Sequence, residues 1–295
     1  MTKNDFVVMV LCVAAEKMKL DFACINRFIS EIKKNGVDIA NVLESDFFEG
    51  SVWQGLVNQA RNMHPDCAKN LEQLSKRKIQ IVSTENNHYP PKLIHRLKEK
   101  TPPYFLAVGN TELSCRMSVS VTGVRDVFEE DIKYARRLGE VCAREKLVVV
   151  SGGAVGVDSV VLQTVLVNGG QAVVYLPQSF EKSHFMYAYR KYAENGNLLC
   201  LSLCKPGQGF TSSGALERNV YIHSHGDITV TVRAKYKSGG SWSGASNNLE
   251  RVRTPAYVSD IPSPGNEALK KMGAKVLTRE QLMSGKFSLI DFCGI

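Results

Sequence analysis

Glycines, two arginines and one aspartate carry the chemistry that this sequence offers. The run Ser151-Gly152-Gly153-Ala154-Val155-Gly156-Val157-Asp158 follows the apolar stretch Val148-Val149-Val150. A strand that turns through glycines into a helical pattern brings backbone N–H groups and the positive end of a helix dipole to one point, which suits an anion such as phosphate. With no ligand, the same glycines simply permit a tight turn. Gly152, Gly153 and Gly156 serve chain geometry in either case. Asp158, in the first turn of its helix, is expected to cap or orient backbone donors rather than to act as an acid. Thr122-Gly123-Val124-Arg125 repeats the theme after an earlier strand, with Gly123 for the turn and Arg125 as a planar fork suited to phosphate. Glu217-Arg218-Asn219 supplies a second guanidinium and an amide, and Gly240-Ser241 opens a further helical pattern. Arg125 and Arg218 lead the ligand candidates, because a guanidinium at a strand end of a parallel sheet faces the binding crevice. Asn219 suits a base contact or a loop tie equally.

Such residues need strands that end together. Candidate strands are 118–122, 147–151, 171–176, 198–203, 228–232 and 256–259, and helical patterns at 129–145, 157–168, 243–250 and 266–272 separate most of them. The fold class is therefore α/β: a doubly wound, mostly parallel, Rossmann-like sheet preceded by a small all-helical N-terminal domain. The helical domain is read over 1–78, where Phe22, Ile25, Phe28, Ile29 and Ile32 fall at helical spacing behind Asp21 as N-cap. Residues 79–112, with a strand at 79–82 and two Pro-Pro pairs, form a connector and lead-in, and 113–295 the sheet domain.

The 295 residues carry a formal charge of +8, which favours an anionic partner such as nucleic acid or reflects a generally basic surface. The apolar run from Phe6 to Ala15 is far short of the roughly 18 residues of a membrane span and reads as a buried helix, so a cytoplasmic protein without membrane contact is expected. Eight cysteines lack framework or zinc spacing. Cys200 and Cys204, with His184, His223 and His225 nearby, are expected to be core residues, with neither metal nor cofactor bound.

In order and spacing these motifs resemble the DprA/Smf DNA-processing family from about Tyr89 to Ala274. Tyr89-Pro90-Pro91-Lys92-Leu93 and Pro102-Pro103-Tyr104-Phe105-Leu106-Ala107-Val108-Gly109 look like that family's lead-in to its sheet. Val119 to Arg125 looks like its first strand and Gly-x-Arg turn, Ser151 to Asp158 its Ser-Gly-x-Ala-x-Gly-x-Asp signature, and Arg218-Asn219 its Arg-Asn element. Gly240-Ser241 and Ala245 match its glycine-serine turn. Three positions depart: Leu162 stands where a histidine is usual, Arg233 where an acid is expected, and Gly244 where the turn has threonine. No winged-helix-like segment is read after Leu282, so the chain looks divergent.

The resemblance implies a non-enzymatic protein that binds and protects single-stranded DNA and hands it to a RecA-type recombinase, as a homodimer, during DNA uptake. Tyr104, Phe180, Phe185, Tyr187, Tyr189, Tyr221 and Trp242 are candidates for base stacking. Lys182, Arg190, Lys191, Lys235 and Lys237 could line a groove. The alternative is a sensor of a nucleotide signal in stress or phage defence. A nucleotide N-glycosidic hydrolase would want a Pro-Gly-Gly-x-Gly-Thr-x-x-Glu turn, and a nicotinamide oxidoreductase Gly-x-Gly-x-x-Gly; this sequence has neither.

Overall fold

The structure, a computed structural model, describes residues 2–252 and 254–295. The chain divides into two compact units, Met1–Val108 and Gly109–Ile295. The first holds helices α1 (Lys3–Lys17), α2 (Phe22–Lys34) and α3 (Gln54–Lys76), strand β1 (Gln80–Ser83), helix α4 (Pro91–Leu97) and strand β2 (Tyr104–Gly109). The two strands pair antiparallel, with Ser83 opposite Tyr104. As its sequence predicts, α1 is a core helix, with Val7 to Leu11, Ala14 and Ala15 buried.

One buried carboxylate fixes where α1 begins. Asp5 closes a capping box with Thr2 and also accepts from the Ser83 N–H at 3.0 Å, the Ser83 hydroxyl at 2.7 Å and the Asn86 amide at 2.8 Å. Burial disfavours its charge, but the hydrogen bonds from Thr2, Ser83 and Asn86 outweigh burial and hold the carboxyl below its ordinary value.

The second unit carries seven strands, β3 (Ser118–Thr122), β4 (Val148–Ser151), β5 (Gln171–Leu176), β6 (Leu198–Ser202), β7 (Ile228–Thr231), β8 (Ala256–Ser259) and β9 (Lys275–Leu277). All are parallel, in the order β6-β5-β4-β3-β7-β8-β9. Their connections are helices α5 (Glu129–Arg144), α6 (Val157–Val167), α7 (His184–Glu194), α8 (Ser212–His225), α9 (Gly239–Asn247) and α10 (Pro264–Lys271), followed by α11 (Arg279–Met283) and α12 (Leu289–Cys293). The chain steps outward from β3 to β6, returns through α8, and steps the other way from β7 to β9. Right-handed crossovers then place the two sets of helices on opposite faces, with α5 against α6 and α8 against α9. This is the doubly wound sheet expected from the sequence. The direction of stepping reverses between β3 and β7, and in such sheets ligands sit beyond the strand ends at that reversal.

Several elements depart from expectation. Strand β9 and helices α7 and α8 have no counterpart in the sequence reading, and α9 begins at Gly239 rather than Ser243. Arg218 and Asn219 therefore sit in the middle of a helix and not at a strand end. The reason is burial: Ala215, Arg218, Asn219 and Tyr221 to His225 are all inside, so α8 shows no one-sided apolar stripe.

Replacing Asp5 with Ala strands buried donors at Ser83 and a half-buried one at Asn86 and is expected to cost about 2–4 kcal/mol in urea unfolding. Because the native carboxyl titrates below its ordinary value of 3.8, its contribution is full above that pH and is lost as pH falls through the native value. A stability profile measured from neutral pH into acid should lose this step in the variant.

Candidate nucleic-acid interface

At the reversal point the structure opens a cleft of about 420 Å³. Thr122, Gly123, Val124, Arg125 and Asp126 line it from the end of β3, Ala154 and Asp158 from the glycine corner, and Phe210, Ser212, Ala215, Leu216, Arg218 and Asn219 from α8 and the loop before it. Lys235 and Ser238 to Ser241, leading from β7 into α9, complete the wall. Seven of the eleven principal candidates thus meet: Gly123, Arg125, Asp158, Arg218, Asn219, Gly240 and Ser241. Ser151, Gly152, Gly153 and Gly156 lie behind them.

Those four shape the corner. The Ser151 hydroxyl is buried and donates to the Val121 carbonyl at 2.8 Å, tying β4 to β3. Gly153 and Gly156 hold φ of +65° and +96°, and a side chain on Gly156 would strike the backbone of Val124 and Arg125. Gly152 leaves room for the Arg218 guanidinium, which lies where a Cβ would be. The corner's N–H groups already have an anion: those of Gly152 and Ala154 donate to Asp158 Oδ2 at 3.2 and 3.4 Å.

Arg218 is the buried cation beside that carboxylate. Its Nη1 donates to the Tyr175 carbonyl at 3.1 Å, while its Nε is buried with no hydrogen-bond partner. Burial pushes the guanidinium's pKa down and the like charge of Arg125 adds to this, with Asp158 opposing. Burial pushes the Asp158 carboxyl up, against the pull of Arg218 and the loop amides. An anion in the cleft would relieve the repulsion between Arg125 and Arg218 and give the Arg218 Nε–H an acceptor. Arg125 itself is exposed.

The other polar wall is the start of α9. Ser238 gives the first turn no side-chain cap, and first-turn N–H groups have no partner inside their own helix. Asn219 donates to the Gly240 carbonyl at 3.0 Å, so the amide ties the loop. Lys235 pairs with Asp126 at 3.0 Å across the mouth, both largely exposed.

The remaining groove candidates stand elsewhere. Lys182 and Lys237 do not line the cleft, and Lys237 Nζ lies 5.2 Å from the Tyr236 ring centre. Arg190 pairs with Glu194 along α7 at 3.0 Å, and Lys191 covers the Tyr192 ring. None of the seven stacking candidates lines the cleft either. Phe185 and Tyr189 stack on each other at 4.4 Å, Trp242 packs edge-on to Tyr236, and Phe180 and Tyr221 are buried. Tyr104 is half-buried in β2, and Tyr187 is exposed on α7. The aromatic residue in the cleft is Phe210, which the sequence reading missed because one Phe in a Gly-rich loop shows no pattern.

The three departures have local compensation. Leu162 is core. Arg233 turns away from the cleft, bonding Glu130, Asp131 at 2.7 Å and the Pro262 carbonyl, over the Phe128 ring. A Cβ on Gly244 would lie 2.8 Å from His223 Nε2, so the imidazole occupies the space a larger residue would need. His223 Nδ1 meets the Thr229 hydroxyl and His225 Nδ1 the Tyr175 hydroxyl, both at 2.8 Å, which commits both rings to the core.

The family model described as DNA recombination-mediator protein A matches residues 80–287. Among solved structures, DNA processing protein A from Streptococcus pneumoniae superposes with a TM-score of 0.64 at 19% identity, over 98% of this chain and 99% of that one. DNA processing protein A from Helicobacter pylori, described with a single-stranded DNA binding mode, gives 0.57 at 27% identity over 67% and 90%. A search of curated proteins gives no match.

Two glycine variants test the geometry. Gly152→Ala should expel the Arg218 guanidinium, and Gly244→Thr should force α9 away from His223. Each is expected to cost about 1–3 kcal/mol by thermal or urea unfolding, as overpacking does. Gly244→Thr combined with His223→Ala should recover part of that loss.

Proposed function

This chain belongs to the DNA recombination-mediator protein A family, and from that premise we propose that it binds single-stranded DNA in the cleft at the strand reversal and catalyses no reaction. In this reading it shields the strand and passes it to a RecA-type recombinase, acting as a homodimer in the cytoplasm. One observation carries the proposal: Arg125, the buried cation Arg218, whose Nε–H has no hydrogen-bond partner, and the uncapped start of α9 all line one cleft. Helix N-termini and guanidinium forks both suit phosphate. The single-stranded DNA binding mode described for the Helicobacter pylori relative supports the choice of ligand.

The acids argue against catalysis. Asp158 is held by loop amides, and Glu217 accepts from the Tyr221 hydroxyl at 3.1 Å. These two are committed to structural hydrogen bonds, and Asp126 at the cleft mouth pairs with Lys235. Among the described residues, no helix is long and apolar enough to cross a membrane.

A second reading, a sensor of a free nucleotide, rests on the size of the cleft. About 420 Å³ falls within the range of small-ligand sites, roughly 300–1,000 Å³.

Anisotropy of labelled single-stranded and duplex oligonucleotides over a salt series tests the proposal. Single strands should bind more tightly, and Arg125→Ala should weaken binding and flatten the slope of log K against log salt by about 0.7, the loss of one single-strand phosphate contact. Flat anisotropy for the unaltered protein, with a thermal shift on adding mononucleotides, would transfer the cleft to the second reading.

A further inference from the structure

Arg125 is exposed, and its guanidinium makes no hydrogen bond or ion pair among the described residues. Its placement is therefore set by the backbone of its loop, residues 123–128 between β3 and α5. The glycine corner fixes the near end of that loop. The Val157 N–H donates to the Val124 carbonyl at 3.2 Å, and Gly156 packs directly on the backbone of Val124 and Arg125. The far end has no such tie: the N–H groups of Arg125, Asp126 and Val127 donate to no backbone carbonyl among the described residues.

Arg233 grips that far end from a fixed base. It follows β7, whose end is bound to β3 by the Val232 N–H donating to the Thr122 carbonyl at 3.0 Å. Its Nε donates to Asp131 Oδ1 at 2.7 Å and its Nη1 to the Pro262 carbonyl at 3.0 Å, while Nη2 bonds Glu130. The other Asp131 oxygen accepts the Phe128 N–H at 2.9 Å, and the Phe128 ring centre lies 5.1 Å from the Arg233 Cζ. Asp131 is fully buried and Arg233 largely so. An acid at 233, which the family's pattern leads one to expect, would repel both carboxylates; the arginine draws them together. The Lys235 to Asp126 pair on the same loop is exposed and, as surface pairs do, contributes little.

We infer that Arg233 is a positioning residue of the cleft: it clamps the first turn of α5 and Phe128 to the end of β7 and so holds the loop that presents Arg125 to the ligand. The inference rests on the proposed function in that it takes Arg125 as a phosphate contact. It adds that a side chain turned away from the cleft governs binding through Arg125.

The test is a double-mutant cycle on the full chain. Arg233→Met is combined with Asp131→Asn, a pair that leaves net charge unchanged, leaves no unpaired buried carboxylate and keeps an acceptor for the Phe128 N–H. Affinity for a labelled single-stranded thymidine oligomer is measured with and without Arg125→Ala. The pair should weaken binding by roughly three- to thirtyfold in the Arg125 background, as residues coupled through one network do, and by less than about twofold once Arg125 is Ala. No loss with Arg125 present, or an equal loss in both backgrounds, would overturn the inference and leave the phosphate reading standing. Hydrogen exchange of the unliganded protein reads the placement directly: amides at 125–128 should exchange faster in the pair variant while those at 151–158 do not change, and unchanged exchange at 125–128 would also overturn it. If the pair does not fold, Arg233→Lys, which keeps the charge and loses the planar fork, replaces it with the same pattern expected. Failure of the unaltered protein to bind any oligomer would overturn the strand reading. The cycle is then read from the thermal shift given by thymidine monophosphate: a shift reduced by the pair only when Arg125 is present supports the inference, and any other pattern, or no shift, overturns it.

Discussion

The carboxylate of Asp158, placed inside the glycine corner, sets the layout of the sheet unit's ligand end. A glycine turn at a helix start presents donors that need an anion, and here the protein supplies one from the helix itself. That negative charge, taken out of water, needs a cation nearby, because an unpaired buried charge is far more costly than an exposed one. Arg218 provides it from α8, and only a residue without a Cβ at position 152 leaves room for its guanidinium. The corner, the crossover helix and the cleft wall are thus bound together by one electrostatic requirement. With the glycine corner's donors taken, the proposed phosphate site falls to the first turn of α9, which has no side-chain cap.

Close packing of α8 on α9 aims that first turn. Asn219 and His223 lie one helical turn apart on α8, and they face Gly240 and Gly244 on α9. Small residues at that spacing let the helices approach until the Asn219 amide reaches the Gly240 carbonyl. Gly244, one of the positions read from the sequence as a departure, fits this account, whereas Arg233 serves another contact. Gly244 and His223 exchange volume across the interface, and Arg233 puts its charge into a cluster with Glu130 and Asp131 at the start of α5.

The sheet was legible because parallel strands buried on both faces read as apolar runs: strands 118–122, 171–176 and 256–259 stand where expected. Arg125 was legible too, since a glycine turn after a strand fixes where the next side chain emerges. Helix α8 was not. Its buried face carries Asn219, His223 and His225, and their partners Gly240, Thr229 and Tyr175 come from segments that local periodicity cannot connect. Phe210 escaped for a related reason. Its place in the wall shows only once β3, α8 and α9 are assembled into the cleft.

Charge alone leaves the cleft underpowered for a long polyanion. Of its three cations, Arg218 is partly neutralised by Asp158 and Lys235 by Asp126, so Arg125 is the one whose charge faces solvent uncompensated. The chain's net charge is +8, and charges farther than about 8–10 Å from a ligand are screened at physiological salt. It can steer an anion in without holding it. Retention must therefore come from contacts at short range: N–H groups whose direction is fixed by helix packing, one buried guanidinium hydrogen lacking an acceptor, and an apolar wall that gains nothing from charge. A site built this way favours a ligand in which phosphate and flat apolar surface alternate at close spacing and the apolar surface is accessible. An unpaired strand meets that description, whereas a duplex keeps its base faces stacked inside.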